Sequence, residues 1–120
     1  LMERRFHEIS FAYILGSAAG GIVPPHSDLD IAVYVEEKPD FNFYIRLEEV
    51  CAEAVGPVRC DIGILNHADP VYAFEVLKGF LLFLRDRERW LTFYSRTCRE
   101  YEHWLYHYEK QRRYRMELVR

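Results

Sequence analysis

The stretch FAYILGSAAGGIVPPHSDLDIAVYV, residues 11–35, decides how this chain folds. Phe11 to Leu15 is β-branched and aromatic, as strands are, and it runs straight into Gly16-Ser17. Ala18-Ala19-Gly20-Gly21, Ile22-Val23 and Pro24-Pro25 follow. So many glycines and prolines exclude a long regular element and leave a turn, or a single helical turn, and then a loop. Asp30 to Val35 is a second strand. It is apolar on both faces, which suits the interior of a sheet.

Working outward, residues 2–10 read as a short helix with Phe6 and Ile9 on its apolar side. Phe41 to Val55 has helical spacing, and Gly56-Pro57 stops it. Val58 to Leu65 reads as a third strand. Asp69 before Pro70 can cap a helix over Val71 to Lys78, which Gly79 ends. Phe80 to Leu84 makes a fourth, short strand. From about Asp86 to 118 the pattern is helical, with Trp90, Tyr94, Thr97, Tyr101, Trp104/Leu105 and Tyr108 on one face. Strands alternating with helices predict one α/β (α+β) domain over residues 1–120. Its core spans about 11–84, a small mixed sheet flanked by helices, and a long C-terminal helix follows.

Half the 120 residues are hydrophobic and 16% are aromatic, enough for a core and against disorder. No apolar run approaches the ~20 residues of a membrane span, and the first residues do not read as a signal peptide. Three cysteines, Cys51, Cys60 and Cys98, without C-x-x-C spacing argue against a disulfide scaffold or a zinc ribbon. They read as small hydrophobes in a reducing cytoplasm. The net charge of −3 hides an asymmetry: residues 1–84 carry 6 Lys/Arg against 13 Asp/Glu, residues 85–120 carry 10 against 6. The basic end fits an RNA or acidic protein partner, or, as the favoured reading, the solvated end of a helix whose charges suit the C-terminal dipole. His103 and His107 have metal-ligand spacing but lack the Glu of a zinc-protease helix, and they read as a surface pair.

The candidate chemistry lies in the acidic part. Asp28 and Asp30, at i and i+2 where a strand begins, project to one face about 6–7 Å apart along the backbone. Like charges at ~4 Å repel by about 4 kcal/mol at an effective dielectric near 20. A hard cation with room for water and phosphate, Mg2+, relieves that repulsion. A glycine-serine turn ending the adjacent strand offers free N–H groups and a hydroxyl to a triphosphate. Asp61, among Val58, Ile62, Ile64 and Leu65, is a strand acid whose burial would be costly unless it is paired or bound to metal. Beside the second strand it would complete a three-acid site able to hold two cations and polarise an attacking hydroxyl. Metal acids and a phosphate turn together describe phosphoryl or nucleotidyl transfer.

Gly16-Ser17, ten residues, Asp28-x-Asp30 and then a lone strand acid, Asp61, resembles the polymerase-β-like nucleotidyltransferase superfamily. The short chain, with CDIGILNHADPVYAFEVLKGFLLFLRD after the first stretch, is similar to the minimal nucleotidyltransferase (MNT) antitoxins that act beside HEPN toxins. The resemblance covers roughly residues 11 to 105. It implies that Gly16, Ser17, Asp28 and Asp30 bind the nucleotide. It implies also that Asp28, Asp30 and Asp61 bind Mg2+ and carry catalysis. The implied reaction moves AMP from ATP to a tyrosine of a HEPN toxin, in an oligomer or hetero-complex that requires neither membrane nor nucleic acid. The chain departs from the family at Ala18 and Gly20, where arginines are frequent, and so lacks one charge-assisted grip on the triphosphate. Two other readings remain: an antitoxin that neutralises by binding alone, and a small-molecule, aminoglycoside-type nucleotidyltransferase. The aromatic last helix offers partner anchors if part of its stripe lies outside the core.

Overall fold

A computed structural model describes residues 2–15, 28–56 and 59–118. The elements run α1 (Met2–Arg5), β1 (Ile9–Leu15), β2 (Leu29–Val35), α2 (Phe41–Val55), β3 (Cys60–Ile64), α3 (Pro70–Leu77), β4 (Phe80–Leu84) and α4 (Arg87–Leu118). The four strands form one mixed sheet in the order β3-β2-β1-β4. β1 is antiparallel to both β2 and β4, and β2 is parallel to β3. The expected small mixed sheet with flanking helices and a long C-terminal helix is the observed architecture.

Side-chain alternation along β2 divides the core between the two faces of the sheet. Leu29, Ile31, Val33 and Val35 pack with Phe6 and with Phe43, Leu47, Val50 and Cys51 of α2. On the opposite face Phe11, Tyr13 and Ala32 pack with Ala73 and Val76 of α3 and Phe93 of α4. A register shift between Ile9 and Phe11 lets Ile9 join the first cluster and Phe11 the second. Without that irregularity, two residues at i and i+2 would share a face.

The local signals hold where hydrogen bonds are local. Asp40 accepts from the Phe43 N–H at 2.8 Å and starts α2. Gly56 ends α2 at φ 85°, a left-handed conformation that glycine adopts without a Cβ penalty. Asp69 accepts from the Tyr72 N–H at 2.9 Å, with Pro70 in the first turn of α3.

The first helix is shorter than its apolar spacing predicts. It stops at Arg5, and Ile9 and Ser10 belong to β1. Phe6 and Ile9 are buried as expected, but Ile9 pairs with Val35 and the Glu36 N–H donates to the Glu8 carbonyl at 2.9 Å. Sheet pairing at long range therefore outcompetes helix propagation in so short a segment.

α4 has 32 residues, about 48 Å at 1.5 Å per residue, beside a greatest molecular extent of 57 Å. Its first half is seated on the sheet through Phe93 and Thr97, and the Trp90 indole N–H donates to the Tyr13 hydroxyl at 2.7 Å. Tyr101 stacks on Phe74 of α3 at 3.9 Å between ring centroids. Before Tyr101 the helix buries Phe93 and Thr97 while Tyr94 of the expected stripe is exposed, and residues 102–118 are all exposed. His103 and His107 lie on that exposed part with their rings 4.4 Å apart, a surface pair as expected. No helix among the described residues is long and apolar enough to cross a membrane.

Candidate active site

Asp30 faces the α3/α4 side because it alternates with Leu29 and Ile31, which face α2. Its row crosses three strands: Leu15 of β1 pairs with Asp30, and Asp30 pairs with Asp61 of β3. In-register partners in a parallel pair project to the same side, so the two acids share a face. They bound a small cavity of about 300 Å³ with Leu15, Ile62, Gly63 and Tyr72. Larger hollows along the exposed end of α4 are flanks of a single helix, where Glu109 and Glu117 stand among Lys110 and Arg113.

The electrostatics agree with the register. Asp30 is exposed as a residue, yet its carboxyl pKa is raised. Partial burial is the largest cause, followed by the charge of Asp61 and then that of Asp28; a hydrogen bond with Asp61 adds to it. Two carboxyl groups in hydrogen-bond contact favour sharing a proton unless a cation takes its place. Asp28 lies just before β2, exposed and within electrostatic reach of Asp30. Among the described residues, however, no three His, Cys, Asp or Glu side chains gather as a metal cage. The structure therefore unites Asp30 with Asp61 and leaves Asp28 at the margin.

Asp61 corrects one expectation. Its apolar neighbours in sequence suggest a buried acid, but β3 is an edge strand and the Asp61 side chain is 54% exposed. An ion pair with Arg59 at 3.9 Å is exposed on both sides and contributes little. Register with Asp30, rather than desolvation, brings Asp61 to the site. Gly16 and Ser17 lie outside the described residues, as do Ala18 and Gly20; Leu15, the residue before Gly16, is the described one beside Asp30.

Two lining residues escape a search for acids. Tyr72 comes from the first turn of α3, and its ring lies over Gly63 so closely that a Cβ at position 63 would collide with the hydroxyl. The Tyr72 phenol pKa is raised, first by burial and then by the charge of Asp30. A glycine inside a strand does signal close approach of another group, and Gly63 is that signal here.

The family model described as polymerase beta, nucleotidyltransferase matches residues 2–88. The chain belongs to that nucleotidyltransferase family. Several solved structures share the fold. One is a mutant MntA–HpeT toxin–antitoxin complex (TM-score 0.71, 21% identity, covering 98% of this chain and 91% of that one). Another is a toxin–antitoxin with AMP-PNP (TM-score 0.69, 22% identity, 98% and 91% coverage). A third is a tri-AMPylated Shewanella oneidensis HEPN toxin in complex with an MNT antitoxin (TM-score 0.63, 20% identity, 98% and 87% coverage). No curated protein sequence matches this chain significantly.

Proposed function

We propose that this nucleotidyltransferase is an MNT-type antitoxin, one domain acting in the cytoplasm, that transfers AMP from ATP to a tyrosine hydroxyl of a HEPN toxin. The observation that carries the reading is the in-register pair Asp30 and Asp61, one strand away from the end of β1. Fold neighbours holding AMP-PNP or an AMPylated HEPN toxin support the choice of nucleotide and partner.

The donor set fits Mg2+: hard carboxylate oxygens, with the Asp30 pKa raised first by burial and then by its acidic neighbours, so that a divalent cation would relieve the repulsion. Asp30 and Asp61 would hold it, with Asp28 joining from the margin of the site, and it would supply neutralisation of the triphosphate and of the charge developing in the transition state. Gly16 and Ser17 would bind the triphosphate. Asp61 takes the proton of the attacking hydroxyl, whose oxygen forms a bond to the α-phosphorus. The bond from that phosphorus to the bridging oxygen breaks, and pyrophosphate leaves.

The test is incubation with ATP labelled at the α-phosphate, Mg2+ and the HEPN partner. Label on a partner tyrosine, absent with Asp28→Ala/Asp30→Ala, is the expected result. No label on a competent partner would defeat the proposal. One observation favours a second reading, neutralisation by binding alone: the exposed end of α4 presents Trp104, Tyr106, Tyr108 and Tyr114. Under that reading the double variant still protects cells at equal expression.

A further inference from the structure

The sheet lays the site out in sequence. Leu15 on β1 precedes Gly16, Asp30 follows on β2, and Asp61 stands on β3, beyond which no described strand pairs. If the triphosphate is held on the β1 side, an acceptor arriving from outside meets the site along the β3 edge. Tyr72 guards that side. Its hydroxyl sits over Gly63, two residues after Asp61 on the same strand face, about 6–7 Å along the backbone.

Several features fix the ring there. Asp69 caps the turn from which Tyr72 projects, and Pro70 stiffens it. Gly63 supplies the only side chain small enough to admit the hydroxyl. The ring joins the cluster of Leu65, Ala73 and Val76, while the phenol end lines the cavity with Asp30 and Asp61. The hydroxyl makes no hydrogen bond to any other described residue, whereas Tyr13, the comparable phenol on this sheet face, is bonded to Trp90. A phenol usually finds a partner when it is half-buried. The cavity that it lines with Asp30 and Asp61 is where a ligand atom would meet it.

Resting on the nucleotidyltransferase reading above, we propose that the Tyr72 hydroxyl contacts the acceptor and positions its attacking hydroxyl. The phenol donates a hydrogen bond to one lone pair of the acceptor oxygen. A second lone pair is left facing the α-phosphorus, and the acceptor proton faces Asp61. Neither the bond made nor the bond broken involves Tyr72, so its contribution is orientation.

Tyr72→Phe removes the hydroxyl and keeps the ring. With the HEPN partner as acceptor, kcat/KM for the partner should fall roughly tenfold, the worth of one well-placed hydrogen bond. KM for ATP and the melting temperature should stay at wild-type values, a split that a purely structural role would not produce. Gly63→Ala, which displaces the ring, should lower kcat/KM for the partner likewise and leave KM for ATP unchanged if it folds; Tyr72→Phe carries the test by itself if it does not. Wild-type transfer by Tyr72→Phe overturns the inference alone, and so does a raised KM for ATP with normal use of the partner. A wild-type protein that transfers nothing overturns the nucleotidyltransferase reading, and this inference with it.

Discussion

Asp30 and Asp61 are direct neighbours across the parallel β2–β3 pair, and their carboxyl groups are in hydrogen-bond contact although 31 positions separate them in the chain. The pairing concentrates like charge at one end of the sheet, which is unfavourable for the fold and useful for holding a cation. Function and stability therefore pull in opposite directions at these two residues.

Replacing Asp30 with Asn should lower nucleotide transfer by about 100-fold or more while leaving the fold intact. The sign of its pH effect follows from the raised carboxyl pKa. The native state keeps this proton to higher pH than the unfolded chain does. Stability from the group is thus fully present at low pH and lost as pH rises through the native value. Asp30→Asn removes that loss and should melt at or above the wild-type temperature at neutral pH, with a flatter slope through the carboxylate range. Thermal melts between about pH 4 and 8 check it; a variant that melts well below wild type at neutral pH contradicts it.

Asn66 closes the end of β2 with a pair of hydrogen bonds. Its Oδ1 accepts from the Val35 N–H at 3.0 Å, and its Nδ2 donates to the Val35 carbonyl at 2.6 Å. Asn66→Ala leaves both backbone groups without that partner in a part-buried place and should cost about 2 kcal/mol. Denaturant titration measures the loss, and an unchanged midpoint would show that water replaces the side chain at no cost.

The two halves of α4 should answer differently to the same substitution. Tyr101→Ala breaks the stack on Phe74 and should destabilise by about 2 kcal/mol. Tyr114→Ala, on the projecting half, should stay within about 0.5 kcal/mol. Equal costs at the two positions would mean that the far half is packed in solution.

Cys51 is buried, and its thiol is pushed up to about 12, chiefly by that burial. Because the thiolate is the reactive form, alkylation of the native protein at about pH 8 should modify Cys98 well before Cys51. Peptide mapping after a timed reaction reads the order, and early labelling of Cys51 would mean that α2 opens from the sheet.

Much of the site is legible in the sequence, but for partly mistaken reasons. Asp30 is found from its spacing to Asp28 and to Gly16-Ser17. Asp61 is found from an inferred burial that the structure does not bear out; an edge strand leaves it open and register brings it to Asp30. Tyr72 is not found, because nothing near it in the chain announces a partner nine residues earlier at Gly63. Only the glycine inside a strand hints at it.

The sequence by itself determined what neighbouring residues can settle: strands at Phe80–Leu84 and around Ala32, a helix over Phe41–Val55, and the cap at Asp69. Those depend on backbone sterics and on hydrogen bonds a few residues long. The tertiary structure alone decided the rest: the order β3-β2-β1-β4, the shift that takes Ile9 into β1, and the point on α4 where core becomes surface. Each of these compares pairings between distant segments, and the balance is struck by which apolar faces can be buried together, a quantity no local window contains.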